Sequence, residues 1–326
     1  MTPRTIKAIR KWAAVCTIAA AVSAARAEPS APLAEVRTGD VELFYRIYDA
    51  ANGMPSGDAL QKGYIDAGSD GVRQFVPHRI ISGEALATAV SRHHADYEGA
   101  RKCLGALPTV KDRLADAFHK LAALYPNAVF PPVTILIGRD NSGGTTGRSG
   151  VLIGLEVVCR STWMQPEPTE RLFHIVAHEY GHIQQFAAGQ FGADSNEDEH
   201  PGNVLRQSLT EGGAELIAEL ISGEVSNVHL QRWTNGRERE IEEAFLTQID
   251  STDLSAWLYN GAGTPEKPGD LGYWVGYRIL ESYYRGAHDK RAALATLLAL
   301  KDPKTILAES GWHPGEIATV ATTRPQ

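Results

Sequence analysis

Between residues 169 and 188 the apolar side chains Leu172, Ile175, Val176, Ile183 and Phe186 recur at the spacing of one helical face. Pro168 and Thr169 read as the start, with Thr169 as N-cap and Glu170 at the positive end of the helix dipole. Ala187-Ala188-Gly189 closes the run with a glycine suited to the position just past a helix. An amphipathic, half-buried helix is predicted. A second is predicted over 208–221, ended by Gly223, with Leu209, Leu216, Ile217 and Leu220 as its apolar side. Glu211, Glu215 and Glu219 recur every four residues on another side, which is also the pattern of an ordinary solvated face.

Upstream, residues 41–51, 83–104 and 110–124 carry helical patterning, with Pro108 and Pro126 as breakers, and read as scaffold. Two β-type runs follow. Residues 133–137 are β-branched and lie between Pro132 and Gly138; residues 151–158 are similar, and Gly143, Gly144 and Gly147 loosen the connection between them. A hairpin is therefore expected ahead of the 169–188 helix, with an edge strand able to pair with an extended peptide. The glycine-rich stretch 142–150 lacks the lysine-serine ending of a phosphate-binding loop, which argues against nucleotide binding. Downstream, 227–249 reads as a helix with a solvated face through Arg237-Glu238-Arg239-Glu240, and 260–269 as a Gly- and Pro-rich loop. Asp270 is expected to cap the next helix, where Gly272 and Gly276 would allow close packing on a neighbour. Residues beyond Gly315 are small and polar and are expected to fray. The fold class implied is α+β, mostly helical with a small sheet or hairpin before the long helix. Residues 28–165 would form an N-terminal lobe, and 166–326 the long helix and a helical C-terminal lobe of the same domain.

The first residues change the picture of where the chain works. Arg4, Lys7, Arg10 and Lys11 precede an apolar stretch from Trp12 to Val22, and Ala25-Arg26-Ala27 offers a small-x-small cleavage site, so residues 1–27 read as a secretory signal peptide. The apolar run before Cys16 is only four residues, Trp12-Ala13-Ala14-Val15, a poor match for a lipid-attachment site. No other segment approaches the ~20 apolar residues of a membrane span. Cleavage would leave 299 residues, remove five basic residues and no acidic ones, and take the formal charge from −7 to −12. Nucleic acid and anionic membrane are thereby disfavoured as partners, and a periplasmic or secreted location is expected. Cys103 and Cys159 remain; they form either a disulfide or two buried thiols.

The chemistry lies in His178-Glu179-Tyr180-Gly181-His182. Two imidazoles four residues apart project from one helical face and can chelate one Zn²⁺, and the intervening carboxylate can take a proton from a water that the metal acidifies. His174, one turn earlier, is read as a packing or supporting residue. The adjacent His93 and His94 cannot share a helical face and are not read as a metal site. A third ligand must come from elsewhere. Gln185 and Ala188 stand where the metzincin pattern needs glycine and histidine, so that class is excluded. Gly212 and Gly213 would each cost about 1 kcal/mol inside a helix unless another backbone approaches closely, or they lie just before the helix begins. A close approach would suit Glu211 as the metal ligand and Glu215 as a hydrogen-bond partner fixing the tautomer of a ligating histidine. His200, in an acidic stretch, is the other candidate.

With Glu211-Gly212-Gly213-Ala214-Glu215 in place, the chain resembles the gluzincin clan of zinc peptidases, whose third ligand is a glutamate on a downstream helix. Ser142-Gly143-Gly144-Thr145, the helix through Gln184-Gln185, and Asp270-Leu271-Gly272-Tyr273-Trp274-Val275-Gly276-Tyr277 are similar to a bacterial family of predicted, largely uncharacterised zinc-dependent proteases. The resemblance spans about residues 133–290. It implies a zincin-like fold, Zn²⁺ on His178, His182 and Glu211, Glu179 as general base, and Glu215 supporting a ligand, where aspartate is more usual in the clan. Tyr273, Tyr277, Arg278 or His229 could supply the donor for a developing oxyanion.

The reading is a periplasmic or secreted zinc metallopeptidase acting on a peptide or protein substrate. A zinc hydrolase of non-protein amides, such as those of the cell wall, is one alternative. A non-catalytic zincin-fold peptide-binding protein is the other, and Glu179 argues against it, because a structural zinc needs no neighbouring base.

Overall fold

The computed structural model describes residues 33–161, 164–191, 202–261, 263–264 and 266–316. The expectations for residues 1–27, for His200 and for the end of the chain lie outside them. Four strands form one sheet in the order β1 (Val36–Arg37), β2 (Val133–Leu136), β4 (Gly150–Gly154), β3 (Gly144–Gly147). β2 and β4 are buried along their whole length, as their unbroken apolar sequences require. They run parallel, Val133 opposite Val151, so the two apolar runs are not partners in a hairpin. The hairpin is formed by β3 and β4, with Thr145 opposite Leu152 and Gly147 opposite Gly150.

The stretch read as a loose connection is thus itself a strand. Its glycines carry no strand preference, and cross-strand pairing with the apolar β4 supplies it instead. Gly150 closes the turn with φ 103°, and a Cβ there would lie 2.1 Å from Pro132 O, so only glycine fits. The second run also ends early: at Gly154 the chain turns into a helix, Leu155–Arg160.

Other boundaries shift for local reasons. The segment 83–104 is divided into helices Gly83–Arg92 and His94–Ala100 and a 3₁₀ turn, Arg101–Ala106. Pro108 does not break the next helix, Leu107–Leu124; it sits in the first turn, where a missing N–H costs nothing. The segment 227–249 is two helices, Val228–Thr234 and Glu238–Leu246, parted at Gly236 with φ 81°.

Three helices place the chemistry: the motif helix Pro168–Ala187, the glutamate helix Val204–Ser222 and the tyrosine helix Leu271–Gly286. Thr169 is inside the motif helix rather than capping it; Glu167 holds the cap position, and Glu170 is drawn to Arg113 through two hydrogen bonds of 2.5 and 2.9 Å. Buried Arg171 ties the same helix to the preceding segment by donating to the carbonyls of Val158, Cys159, Gln165 and Pro166. Cys159 is joined to Cys103 in a disulfide spanning 56 residues, which loop-closure entropy values at about 4 kcal/mol.

The glutamate helix serves two cores. Ile217, Ala218 and Ile221 pack with the sheet and the N-terminal helices, whereas Leu205, Leu209 and Leu216 pack with Phe245, Trp257 and Val275. This leaves no solvated face for Glu211 and Glu215, which are 6 % and 2 % exposed. Gly212 and Gly213 lie well inside the helix and a backbone does approach, but at Gly212 it is the tyrosine helix. A Cβ on Gly212 would lie 2.1 Å from Tyr277 N, and one on Gly276 1.7 Å from Ser208 O. Gly272 and Gly276 thus give the close packing their spacing predicts.

Glu156 shows what burial does to an unpaired carboxyl. It accepts hydrogen bonds from the backbone N–H groups of Gly138 and Asp140, yet burial pushes its pKa up to about 7. A carboxyl raised on folding stabilises the fold fully below about pH 4.5, and that contribution is lost as pH rises through 7. Over this window Glu156→Gln should gain about 3 kcal/mol relative to the parent. Urea titrations of both proteins from pH 4 to 8 check this, and a constant stability difference would contradict it.

Candidate metal centre

His178 and His182 stand one turn apart on the motif helix, and Glu211 faces them from the glutamate helix. The two Nε2 atoms are 3.2 Å apart, and Glu211 Oε2 lies 3.5 Å from His178 Nε2 and 3.2 Å from His182 Nε2. Donors bound to one tetrahedral zinc at about 2.0–2.1 Å stand about 3.3–3.4 Å apart, so this triangle has the right size. His178 and Glu211 are buried, and His182 is half-buried. The three are the one such grouping of buried donors among the described residues.

The outer nitrogens are held as a metal site requires. His178 Nδ1 lies 3.0 Å from Glu215 Oε1, and His182 Nδ1 is 2.8 Å from Gln185 Oε1. Gln185 is fixed in turn by donating to Thr210 O at 2.6 Å, and Glu215 by Ser226 N at 2.7 Å and Asn227 Nδ2 at 2.7 Å. Gln185 is the hydrogen-bond acceptor at His182 Nδ1, whereas Glu215 stands at ion-pair distance from His178 Nδ1 without the alignment of a hydrogen bond, and both Nε2 atoms face the shared centre. The charge balance agrees. Burial disfavours an imidazolium at His178, but Glu211 and Glu215 outweigh it and raise its pKa well above the ordinary value. Burial likewise acts to raise the pKa of Glu211, and His182 and His178 instead hold it far below the carboxylate range. Two buried carboxylates thus call for positive charge among them, which a divalent cation supplies as well as protons do. The donor set, its spacing and its outer partners therefore fit zinc.

Glu179 is buried next to the triangle, against the edge strand: a Cβ on Gly144 would lie 2.5 Å from its Oε1. Tyr273 stacks over the His178 ring, with centroids 6.1 Å apart. Two of the other oxyanion candidates are engaged elsewhere. Tyr277 donates to Glu281 and stacks on Trp274; Arg278 pairs with Glu242 and donates to Glu316 O. His229 is half-buried within electrostatic reach of Glu215, and desolvation pushes its pKa down to about 4. His174 links helices, with Nδ1 2.7 Å from Ser222 Oγ and Nε2 3.3 Å from Glu170. His93 approaches Asp140 at the surface, where Arg160 already pairs with that carboxylate.

Four participants were given no role by the sequence. Gln185 follows His182 by three residues on the same face, a spacing that could have suggested it. Tyr259, whose hydroxyl donates to Glu211 Oε1 at 2.8 Å, is 48 residues away in a loop. Gly144 and Gly181 act by having no side chain. A Cβ on Gly181 would lie 2.5 Å from Ala214 Cα, so this glycine, not Gly212, lets the motif and glutamate helices touch.

Residues 241–314 match the family described as Gliding motility protein GldB. No curated protein and no solved structure matches the chain. The matched segment covers under a quarter of the sequence and carries Tyr259 and Tyr273, but none of His178, Glu179, His182 or Glu211. The similarity goes with an envelope-associated protein, and no described helix is long and apolar enough to cross a membrane.

Because Ala214 meets Gly181 through its backbone, Gly181→Ala must push the two helices apart. We expect a stability loss of about 1–3 kcal/mol and zinc affinity at least about 10-fold weaker, since the ligand triangle spans that joint. Chelator competition and thermal melts measure both; unchanged zinc affinity would show that the contact does not set the site.

Proposed function

We propose that the chain is an exported zinc-dependent peptidase of gluzincin type, with His178, His182 and Glu211 as metal ligands, Glu215 orienting His178, and Glu179 as general base. The observation that carries this reading is the triangle of donor atoms at 3.2, 3.2 and 3.5 Å with a carboxylate-bearing residue, Glu179, next in sequence to one of them. When bound, zinc would polarise a scissile carbonyl and lower the pKa of a water to about 7. Glu179 would accept a proton from that attacking water on its carboxylate and return it to the leaving nitrogen. Glu215 and Gln185 would keep both imidazoles in one tautomer throughout the cycle. Tyr273, beside His178, is the oxyanion donor we favour among the four named in the sequence.

A peptide substrate is supported by the sheet. β3 is its last strand, and Gly144 in that strand touches Glu179, so an extended chain paired along β3 would run past the base. The Cys103–Cys159 disulfide supports an oxidising compartment, in keeping with the periplasm or the outside of the cell.

Glu179→Gln should lower turnover of a peptide library about 10²–10⁴-fold while zinc stays at one per chain by metal analysis. Glu211→Ala should lose the zinc. Full turnover in the Gln variant would remove Glu179 from the mechanism, and full zinc occupancy in Glu211→Ala would remove the third ligand.

A further inference from the structure

Tyr259 is the one group described above that reaches the triangle from a loop. Its backbone has φ 55°, a conformation that costs a non-glycine residue on the order of 1 kcal/mol or more. Asp270, at the far end of the same loop, has φ 59°. The two are locked through Asn260: its N–H donates to Asp270 Oδ1 at 3.0 Å, the N–H of Asp270 donates to Asn260 Oδ1 at 2.6 Å, and its side-chain amide donates to Ser255 O. Asp270 therefore does not cap the tyrosine helix with its side chain, as the sequence suggests; it clips the loop shut at the helix start. That helix is seated backbone to backbone on the glutamate helix at Gly276 and Ser208. The phenol is thus delivered from a rigid base.

The two oxygens of Glu211 are divided. Oε2 faces both histidine nitrogens, and Oε1 accepts the Tyr259 hydroxyl at 2.8 Å. Gln207 Oε1 is also near the phenol, at 3.2 Å, but one phenolic proton goes to the shorter, charged acceptor. We infer that Tyr259 is a positioning residue for the metal centre: by occupying Oε1 it makes Glu211 offer a single oxygen to the cation, leaving room in the coordination shell for water or substrate. This inference rests on the zinc reading above. Without the phenol, the carboxylate is free to rotate and offer both oxygens, which fills the shell and loosens the aim of the one that counts.

The test is metal titration of metal-free parent and Tyr259→Phe, with zinc affinity read by chelator competition and coordination read by the visible spectrum of the cobalt(II) form. The variant should bind zinc about 10- to 100-fold more weakly, and its cobalt band should weaken, as cobalt(II) spectra do when coordination number rises. Equal affinity and an unchanged band would overturn the inference while leaving the ligand set intact. A parent that binds neither metal would overturn the ligand set, and this inference with it. Should metal-free Tyr259→Phe melt below the parent, Asn260→Ala, which loosens the loop but keeps the phenol, decides the matter. A smaller loss of affinity in Asn260→Ala than in Tyr259→Phe supports the hydroxyl; an equal loss overturns it.

Discussion

The centre depends on one backbone contact, where Gly181 of the motif helix meets Ala214 of the glutamate helix. Two helices with ordinary side chains at their crossing lie about 8–10 Å apart axis to axis, and a glutamate then needs an extended, mobile side chain to meet a histidine. With no side chain at Gly181, Glu211 lies between His178 and His182 and Glu215 behind His178, one turn on from each other on the same helix. Glu211 and Glu215 are thus both set by the same helix–helix distance, and neither can be tuned without moving the other.

The glutamate helix is held from its other side in the same manner. Gly212, Gly272 and Gly276 bring the tyrosine helix against it, and the apolar residues on both flanks belong to separate cores. Burying Glu211 and Glu215 in such a helix costs several kcal/mol each unless a partner charge is present. Protonated histidines supply that partner, and a divalent cation held by the neutral imidazoles would supply it equally. The site and the packing are thus one problem: two carboxylates are tolerated in a buried helix because the two imidazoles of the neighbouring helix bring positive charge to them, as protons or as a held cation.

Much of this was legible in the sequence. Mostly helical architecture with a small sheet, the motif helix and the glutamate helix all followed from periodicity, and the four-residue spacing of Gly272 and Gly276 in the tyrosine helix announced a close neighbour. The donors His178, His182 and Glu211 were picked by residue type and spacing, and the fold brings them together. What was missed depends on contacts between distant segments. The hairpin was assigned to the wrong pair of strands because Gly144–Gly147 has no strand preference of its own and gains its conformation from β4. That the tyrosine helix is what approaches Gly212 was not legible, because a glycine states that something comes close without stating what. Tyr259 left no trace, since a tyrosine in a Gly- and Pro-rich loop has no period to read, and its place depends on the Asn260–Asp270 clip.

The sheet's outer strand has a consequence of its own. β3 is four residues long with glycine at both ends, and only Thr145 and Thr146 between them. An edge so short offers few main-chain groups and no apolar side chain for another molecule's sheet to grip. The protein can keep this strand at the sheet's edge beside Glu179 without inviting edge-to-edge aggregation of its own copies.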